Sequence, residues 1–490
     1  MLLERIYDDA LAQASYLIGC QETGNAIVVD PNRDVAQYID AAARHSLRIE
    51  YVTETHIHAD FVSGSRDLAR NTGATLLLSG EGGADWQYAF ARAENARVLA
   101  HGDRFDVGHV HFDVRHTPGH TPEHISFIVT DRMSSERPVG MLSGDFLFVG
   151  DVGRPDLLER AANVRGTMDA LARQLYHSLR ATSDLPDFLQ IWPGHGQGSA
   201  CGKSLGAMPS STLGYERLVN WAFAIGDEDE FVRAVLAGQP EPPKYFARMK
   251  AVNRDGPPPA AAMHDLPALD LAGLERAMRD GASVIDVRAT AEFAAGHIPS
   301  TLNLPIGTSF ATWAGSLLPY DRDIVVLSDT TERIASARRL LMLVGHDRVI
   351  ARGGREIRDE WRKRKGPLAG VELIDFTVLA KGTDRLVIDV RGQPEWDAGH
   401  MPGATHLFLG DLADLARDIP RDTPIAVHCR GGTRSAIAAS LLQTEGFTDV
   451  ANVTGGFRAW EAAGLPVVTA SPEPAGEEPT SHPNRPLHAH

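Results

Sequence analysis

Two stretches of this chain carry residues suited to bond-making chemistry, one built on histidines and acids and one on a single cysteine. The first, THIHADF (Thr55 to Phe61), sets two histidines two apart and an acid two further on, the spacing of a metal-binding loop. It follows a run that reads as a strand, so its side chains would project from a fixed sheet edge, as a preorganised metal site requires. Three later segments take the same strand-then-loop form and carry ligand-type residues: HTPGHTPEH with His120, LSGDFLF with Asp145 and IWPGHGQG with His195. Phe61 stands where a further histidine would serve a second metal, and phenylalanine has no lone pair to donate. The second stretch, HCRGGTRS, places Cys429 directly after the apolar strand IAVH and before a helix beginning near Ser435. Gly431 and Gly432 let backbone N–H groups turn inward, and the helix N-terminus adds partial positive charge, a setting for a sulfur anion. Cys429 is therefore expected to be a nucleophile rather than an inert strand-end residue.

The elements that must position these residues follow from the hydrophobic pattern. Up to about Leu236, short apolar strands (AIVVD, IEYVTET, ATLLLSG, HVHFDVRH, SFIVTD) alternate with loops and with amphipathic helices such as Arg33 to His45, which predicts an α/β domain over residues 1–236. Gln239 to Pro259 is proline-rich with little periodicity, so residues 237–264 read as a linker laid over the surface. Beyond it the chain repeats itself. VIDVRATAEFAAGHIPSTLNLPIG, from Val284, and VIDVRGQPEWDAGHMPGATHLFLG, from Val387, share a strand, a helix start and a Gly-His-x-Pro turn, and each leads to another apolar strand, a helix and a Gly-Gly pair. The spacing suits two tandem α/β domains, 265–367 and 368–468. The tail, 469–490, is rich in Pro and Glu with almost nothing to bury and is expected to be disordered, its His488 and His490 solvated.

A chain of 490 residues with 48 Lys plus Arg against 64 Asp plus Glu has a formal charge of −16, which argues against a nucleic-acid partner. The opening MLLERIYDDA interrupts the apolar run a secretory signal needs, and no segment approaches about eighteen apolar residues, so a cytoplasmic protein without a membrane span is expected. Three scattered cysteines, Cys20, Cys201 and Cys429, suit free thiols better than a disulfide framework.

Occurring in this order, the metal-loop segments resemble the metallo-β-lactamase superfamily, in its glyoxalase II and persulfide dioxygenase branch, over about residues 1 to 235. The resemblance implies an αββα sandwich. It matches His56, His58 and His120 to the first-metal histidines, Asp145 to the acid between metals, and Asp60, Phe61 and His195 to the second-metal positions. With that second site incomplete, His56, His120 and Asp145 are expected to hold one Fe(II) per chain, two imidazoles and a carboxylate leaving positions open for sulfur and dioxygen. Zinc is the alternative metal, in a thioester hydrolase of glyoxalase II type. His58 is either a fourth ligand or a hydrogen-bonding group behind the ligands, and Asp60 and His195 are expected to polarise water or orient a ligand. Arg154, in DVGRPD beside the expected substrate mouth, either binds a thiol carrier's carboxylate or pairs with Asp156. Cys201 is a candidate acceptor of sulfane sulfur, with Lys203 beside it, or else a small buried residue. Cys20 is expected to be structural, and His109, His111, His116 and His124 to serve packing.

The second half resembles the rhodanese superfamily, over about residues 265 to 365 and again 372 to 468. The six-residue span from Cys429 to Arg434 matches sulfurtransferase loops, and Cys429, Arg430 and Arg434 are its expected catalytic residues. In the first copy Ser328 stands opposite Cys429, Asp329 opposite Arg430 and Glu332 opposite Thr433, so the nucleophile is missing and two negative charges sit where an anion would. That copy is expected to be an inactive scaffold. The combination resembles fusions of a persulfide dioxygenase with rhodanese domains, which implies as partners a low-molecular-weight thiol persulfide of glutathione or coenzyme A type, O2, and sulfite or thiosulfate. Homo-oligomerisation is expected by the same resemblance. A sulfane-sulfur carrier or sensor without turnover is the reading from a different class.

Overall fold

The structure is a computed structural model that describes residues 1–162, 166–203, 205–260 and 264–469. The expected disordered tail from residue 470 onward, His488 and His490 included, lies outside the described residues.

Two six-stranded sheets pack face to face in the first domain. One runs in chain order, through Leu2–Asp8, Gln13–Cys20, Asn25–Val29, Arg48–Thr53, Thr75–Ser79 and Arg97–Leu99. The other orders Ser211–Thr212, Gln190–Pro193, Gly140–Gly144, Ile125–Asp131, Val110–His116 and Arg104–Val107. Along Val110–His116 the side chains of Val110, Phe112 and Val114 are buried while His111, Asp113 and Arg115 are half-buried, the period of two that a strand covered on one face requires. These inward residues meet Tyr16, Ile18, Phe105, Phe127 and Trp192 between the sheets. Helices Ala36–Arg44 and Ser65–Thr72 bury Tyr38, Ala41 and Leu68 against the outer face of the first sheet. Met168–Ala181 and Glu228–Leu236 do the same for the second, completing four layers, helix–sheet–sheet–helix.

Both copies of the repeat form parallel sheets. The first orders Leu302–Asn303, Ser283–Asp286, Ile324–Leu327 and Val349–Gly353; the second orders Glu372–Asp375, Val450–Thr454, Ile425–His428, Leu386–Asp389 and Thr405–His406. The repeated motifs hold the strand ends. Asp286 pairs with Arg288 and Asp389 with Arg391, both at 2.6 Å and buried. The Gly-His-x-Pro histidines stack on a ring four residues earlier, His297 on Phe293 at 3.7 Å and His400 on Trp396 at 3.5 Å, and each Nδ1–H donates to that residue's carbonyl.

The segment expected to be a surface linker is instead partly a buried strap. Phe246–Asp255 is a helix whose Phe246, Met249 and Asn253 are buried, as is Tyr245 before it. The Pro-rich flanks conceal this, because the helix is only ten residues long and its three buried positions include an asparagine. One apolar cluster runs through the strap and joins all three domains, from Phe61 and Val62 to Trp313 and Leu343 and on to Leu412 and Ile425. Polar contacts fix the docking: Arg33 to Asp347 at 2.7 Å, Arg339 to Asp8 at 2.7 Å, and the Asn303 N–H to Ser440 Oγ at 2.9 Å. Among the described residues no helix is long and apolar enough to cross a membrane.

Candidate functional sites

At the metal loop, hydrogen bonds decide which atoms face the site. The Thr53–Ile57 turn leaves the sheet with the Thr55 N–H donating to Asp30 Oδ1 at 2.6 Å and its hydroxyl donating to Asp30 Oδ2 at 2.9 Å. With that proton committed, the Thr55 oxygen must accept from His56 Nδ1–H at 2.9 Å, so His56 Nε2 carries a lone pair. His120 Nδ1–H likewise donates to the Arg154 carbonyl at 3.0 Å, which leaves its Nε2 a lone pair as well. Both point at Asp145 Oδ2, from 3.9 and 3.5 Å, and that buried oxygen has no hydrogen-bond partner among the described residues. Three electron-pair donors thus converge, all within 4.8 Å of one another, with no proton between them. Two imidazoles with one carboxylate fit a divalent transition metal. Burial holds both imidazoles below their ordinary pKa, which keeps them neutral and ready to ligate.

The expected second-metal residues are brought together differently. His195 lies between two acids, Nδ1–H donating to Asp145 Oδ1 at 2.7 Å and Nε2–H to Asp60 Oδ2 at 2.8 Å. Burial opposes a charge on the ring, but Asp145 and Asp60 outweigh burial and raise its pKa well above the ordinary value. The positive charge of His195 in turn holds Asp145 well below the usual carboxylate range, although burial alone would raise it. Gly194 permits this closeness, since a Cβ there would lie 2.7 Å from Asp145 Oδ1. Cys201 Sγ is within 4.8 Å of the Asp60 and His195 ligand atoms, and burial together with the two acids pushes its thiol pKa up.

Phe61 is fully buried, its ring 4.4 Å from that of His58 and its side chain in the core shared with the second and third domains. Phe61→His is accordingly expected to lower stability by about 2–4 kcal/mol, through lost packing and a buried polar ring, and to leave metal content at one per chain. Thermal melts and elemental analysis check both; two metals per chain would show that the His195 bridge yields its place.

His58 packs beside His56, ring centroids 4.2 Å apart, with its Nε2–H donating to Asp30 Oδ1 at 3.1 Å and its buried Nδ1 without a hydrogen-bond partner among the described residues; burial lowers its pKa but the Asp30 charge prevails and raises it to about 9. His124 belongs to the site rather than to packing alone: its Nε2 accepts the Asp145 N–H at 3.1 Å. Arg154 is not at a substrate mouth. It is fully buried, bound through two nitrogens to Asp156 at 2.8 and 2.7 Å and to the Pro240 carbonyl at 2.7 Å, so its guanidinium is spent on structure. Cys20 is buried and accepts the His109 N–H at 3.4 Å, as a structural residue would.

The strap holds the metal loop from behind. Asn253 Nδ2 donates to the carbonyls of His58 and Phe61, both at 2.7 Å, and its Oδ1 accepts the Ser63 N–H at 2.9 Å. The Tyr245 hydroxyl donates to the Asp60 carbonyl at 3.0 Å, and the Val62 N–H donates to the Leu343 carbonyl of the first repeat copy at 2.8 Å. Sequence reasoning missed Asn253 and Tyr245 because they sit in a segment with no ligand motif; the one available signal was Asn253 seven residues after Phe246 on one helix face. Asn253→Ala should loosen metal binding about ten-fold, the lower end of what groups behind a ligand shell contribute. Metal retention against a chelator measures it, and native retention would remove the strap's positioning role.

In the third domain Cys429 directly follows the strand Ile425–His428 and is 2% exposed. Its Sγ accepts from the Gly432 N–H at 3.1 Å and the Ser435 hydroxyl at 3.5 Å. Gly432, at φ 113°, takes a backbone conformation that side-chain-bearing residues rarely adopt, and this turns its N–H toward the sulfur. Arg434 is bound through both terminal nitrogens to Glu395, at 2.5 and 2.8 Å, and Arg430 is exposed, 3.9 Å from Glu461. Arg434 lines the same pocket as Cys429, with its guanidinium held by Glu395, while Arg430 is exposed. In the first copy Arg333 repeats the bond, to Glu292 at 2.7 Å, but Ser328 occupies the cysteine position and Asp329 pairs with Arg358.

Comparison with known proteins agrees with this division. The metallo-beta-lactamase superfamily matches residues 8–195, and the rhodanese-like domain matches residues 270–356 and 377–463. The bovine (Bos taurus) mitochondrial persulfide dioxygenase ETHE1 is 26% identical over 48% of this chain and 80% of its own length. Thiosulfate sulfurtransferase GlpE of Pseudomonas fluorescens (strain SBW25) is 41% identical over 15% of this chain and 69% of its own. A crystal structure of a metallo-beta-lactamase from Staphylococcus aureus subsp. aureus COL is 42% identical, covers 72% of this chain and 98% of its own, and superposes with a TM-score of 0.67.

Proposed function

We propose, from the premise that this chain belongs to the metallo-beta-lactamase superfamily and continues into two rhodanese-like domains, that it joins a persulfide dioxygenase to a sulfurtransferase. The observation that carries the first half is the unpartnered Asp145 Oδ2 facing two imidazole nitrogens, with His195 bonded to Asp145 and Asp60 in the second-metal position. His56, His120 and Asp145 would hold Fe(II). Bound there, iron would supply oxidation of a thiol persulfide's terminal sulfur by dioxygen: R–S–SH + O2 + H2O gives R–SH and sulfite, with release of protons. The chain's own residues keep the site charge-balanced and oriented, Thr55 and the Arg154 carbonyl fixing the two rings and His195 fixing Asp145.

Cys429 acts separately, by nucleophilic transfer. Its sulfur attacks the outer sulfur of a donor, the donor's S–S bond breaks, and the new persulfide sits where the Gly432 N–H and the helix Thr433–Thr444 favour negative charge. Sulfite then takes the outer sulfur, forming thiosulfate and returning the Cys429 sulfur as the leaving group. The deciding experiment is dioxygen uptake by iron-loaded protein given glutathione persulfide, with sulfite and thiosulfate measured in the same vessel. Uptake with sulfite formation supports the reading; thioester hydrolysis without uptake would replace it with a hydrolase.

A further inference from the structure

The cavity lined by Cys429 has two cations in its wall, Arg434 and Arg458; its acids, Asp9 and Asp60, come from the first domain. Arg434 brings its own carboxylate, being bound to Glu395 through both terminal nitrogens, so that pair adds no net charge. Arg458 is exposed and forms no ion pair among the described residues. An exposed, unpaired arginine is usually no more than a solvated one. What sets Arg458 apart is how its backbone is joined to the cysteine loop. The Phe457 N–H donates to the Cys429 carbonyl at 2.7 Å and the Arg458 N–H to the Arg430 carbonyl at 3.0 Å. Gly456, at φ 55°, makes this approach possible, because a Cβ there would collide with the Cys429 carbonyl oxygen. Phe457 anchors the segment from the core side, buried with the Arg391 guanidinium 4.0 Å from its ring centroid. The one cation of the cavity wall without a carboxylate partner is therefore fixed, through its backbone, to the nucleophile's own loop.

We propose that Arg458 selects anionic sulfur donors for Cys429, its guanidinium pairing with the sulfonate oxygens of a donor such as thiosulfate while the outer sulfur faces Cys429 Sγ. The proposal rests on the sulfurtransferase reading above and is independent of the metal centre. A guanidinium presents parallel N–H donors that match two oxygens of an oxyanion, a fit that a neutral donor cannot use. The step balances: Cys429–S⁻ + S2O3²⁻ gives Cys429–S–S⁻ + SO3²⁻, the donor's S–S bond breaking, a new one forming at Cys429, and sulfite leaving with the electron pair. The sulfonate keeps its charge from bound donor to departing sulfite, so Arg458 holds ground state and transition state alike. Its contribution should then appear in KM rather than in kcat.

Two measurements on the intact chain test this. In a thiosulfate–cyanide assay, Arg458→Gln should raise the KM for thiosulfate about ten-fold while kcat stays within about two-fold, and Arg458→Lys should recover part of the loss. Added salt should raise the KM of the unaltered protein and have a smaller effect on Arg458→Gln. The second measurement uses two alkylating reagents of nearly equal size, anionic iodoacetate and neutral iodoacetamide, with modification of Cys429 followed by peptide mass spectrometry. Arg458→Gln should lower the ratio of the iodoacetate rate to the iodoacetamide rate about five-fold, and an unaltered iodoacetamide rate shows that the loop has kept its fold. An unchanged ratio together with an unchanged KM would overturn the proposal, as would a fall in kcat at constant KM, which would move Arg458 from donor selection to the chemical step. Absence of thiosulfate-dependent transfer by the unaltered protein would overturn the sulfurtransferase reading and this use of Arg458 with it.

Discussion

Alanine in place of Asp145 is expected to lower dioxygen uptake at least ~100-fold while sulfur transfer from thiosulfate through Cys429 continues. Groups that merely support a ligand change metal affinity or activity by about 10–100-fold, so loss of the only carboxylate in the trio belongs at or beyond the upper end of that range. The substitution does more than delete a ligand. Asp145 Oδ1 also accepts from His195, and without it the buried ring keeps a single carboxylate, Asp60. The His195 pKa should then fall toward its ordinary value, removing charge from the second-metal position as well. Metal content, oxygen-electrode traces and a thiosulfate sulfurtransferase assay on one preparation separate these effects. If sulfur transfer falls as far as oxygen uptake in a protein with a native melting profile, the two chemistries do not occupy separate sites.

Serine at position 429 should have the opposite result: sulfur transfer reduced by a factor on the order of 10³ or more, with dioxygen uptake retained and sulfite accumulating in place of thiosulfate. The hydroxyl can still accept from the Gly432 N–H and the Ser435 hydroxyl, so the loop should keep its shape, but oxygen is a poor acceptor of sulfane sulfur. The first repeat copy is a natural precedent for the geometry, since Ser328 already directly follows the corresponding strand there. Quantifying sulfite and thiosulfate with time gives the result. Undiminished thiosulfate from the folded variant would mean that Cys429 is not the transferring residue, and Cys201, close to Asp60 and His195, would become the residue to test next.

The residues that local chemistry could reveal were the ones visible in the sequence. His56, His120 and Asp145 each follow an apolar strand, and Cys429 follows IAVH; strand ends deliver their next residues to one edge of a sheet, so order along the chain translates directly into a cluster. The repeated Asp-Val-Arg and Gly-His-x-Pro motifs likewise announced two copies of one domain, because each motif closes on itself through a local ion pair or stacked ring. Only the tertiary structure decided the rest. Whether Arg154 was free or paired, which acids flanked His195, and which carboxylate held Arg434 all depended on which charges packing brought near. Asn253 and Tyr245 reach the metal loop across more than 180 residues of intervening chain. The apolar core that runs from Phe61 through Trp313 to Ile425 needs three domains docked at once. No local pattern encodes such contacts, since they arise from the summed shape and charge of surfaces whose residues are remote in sequence.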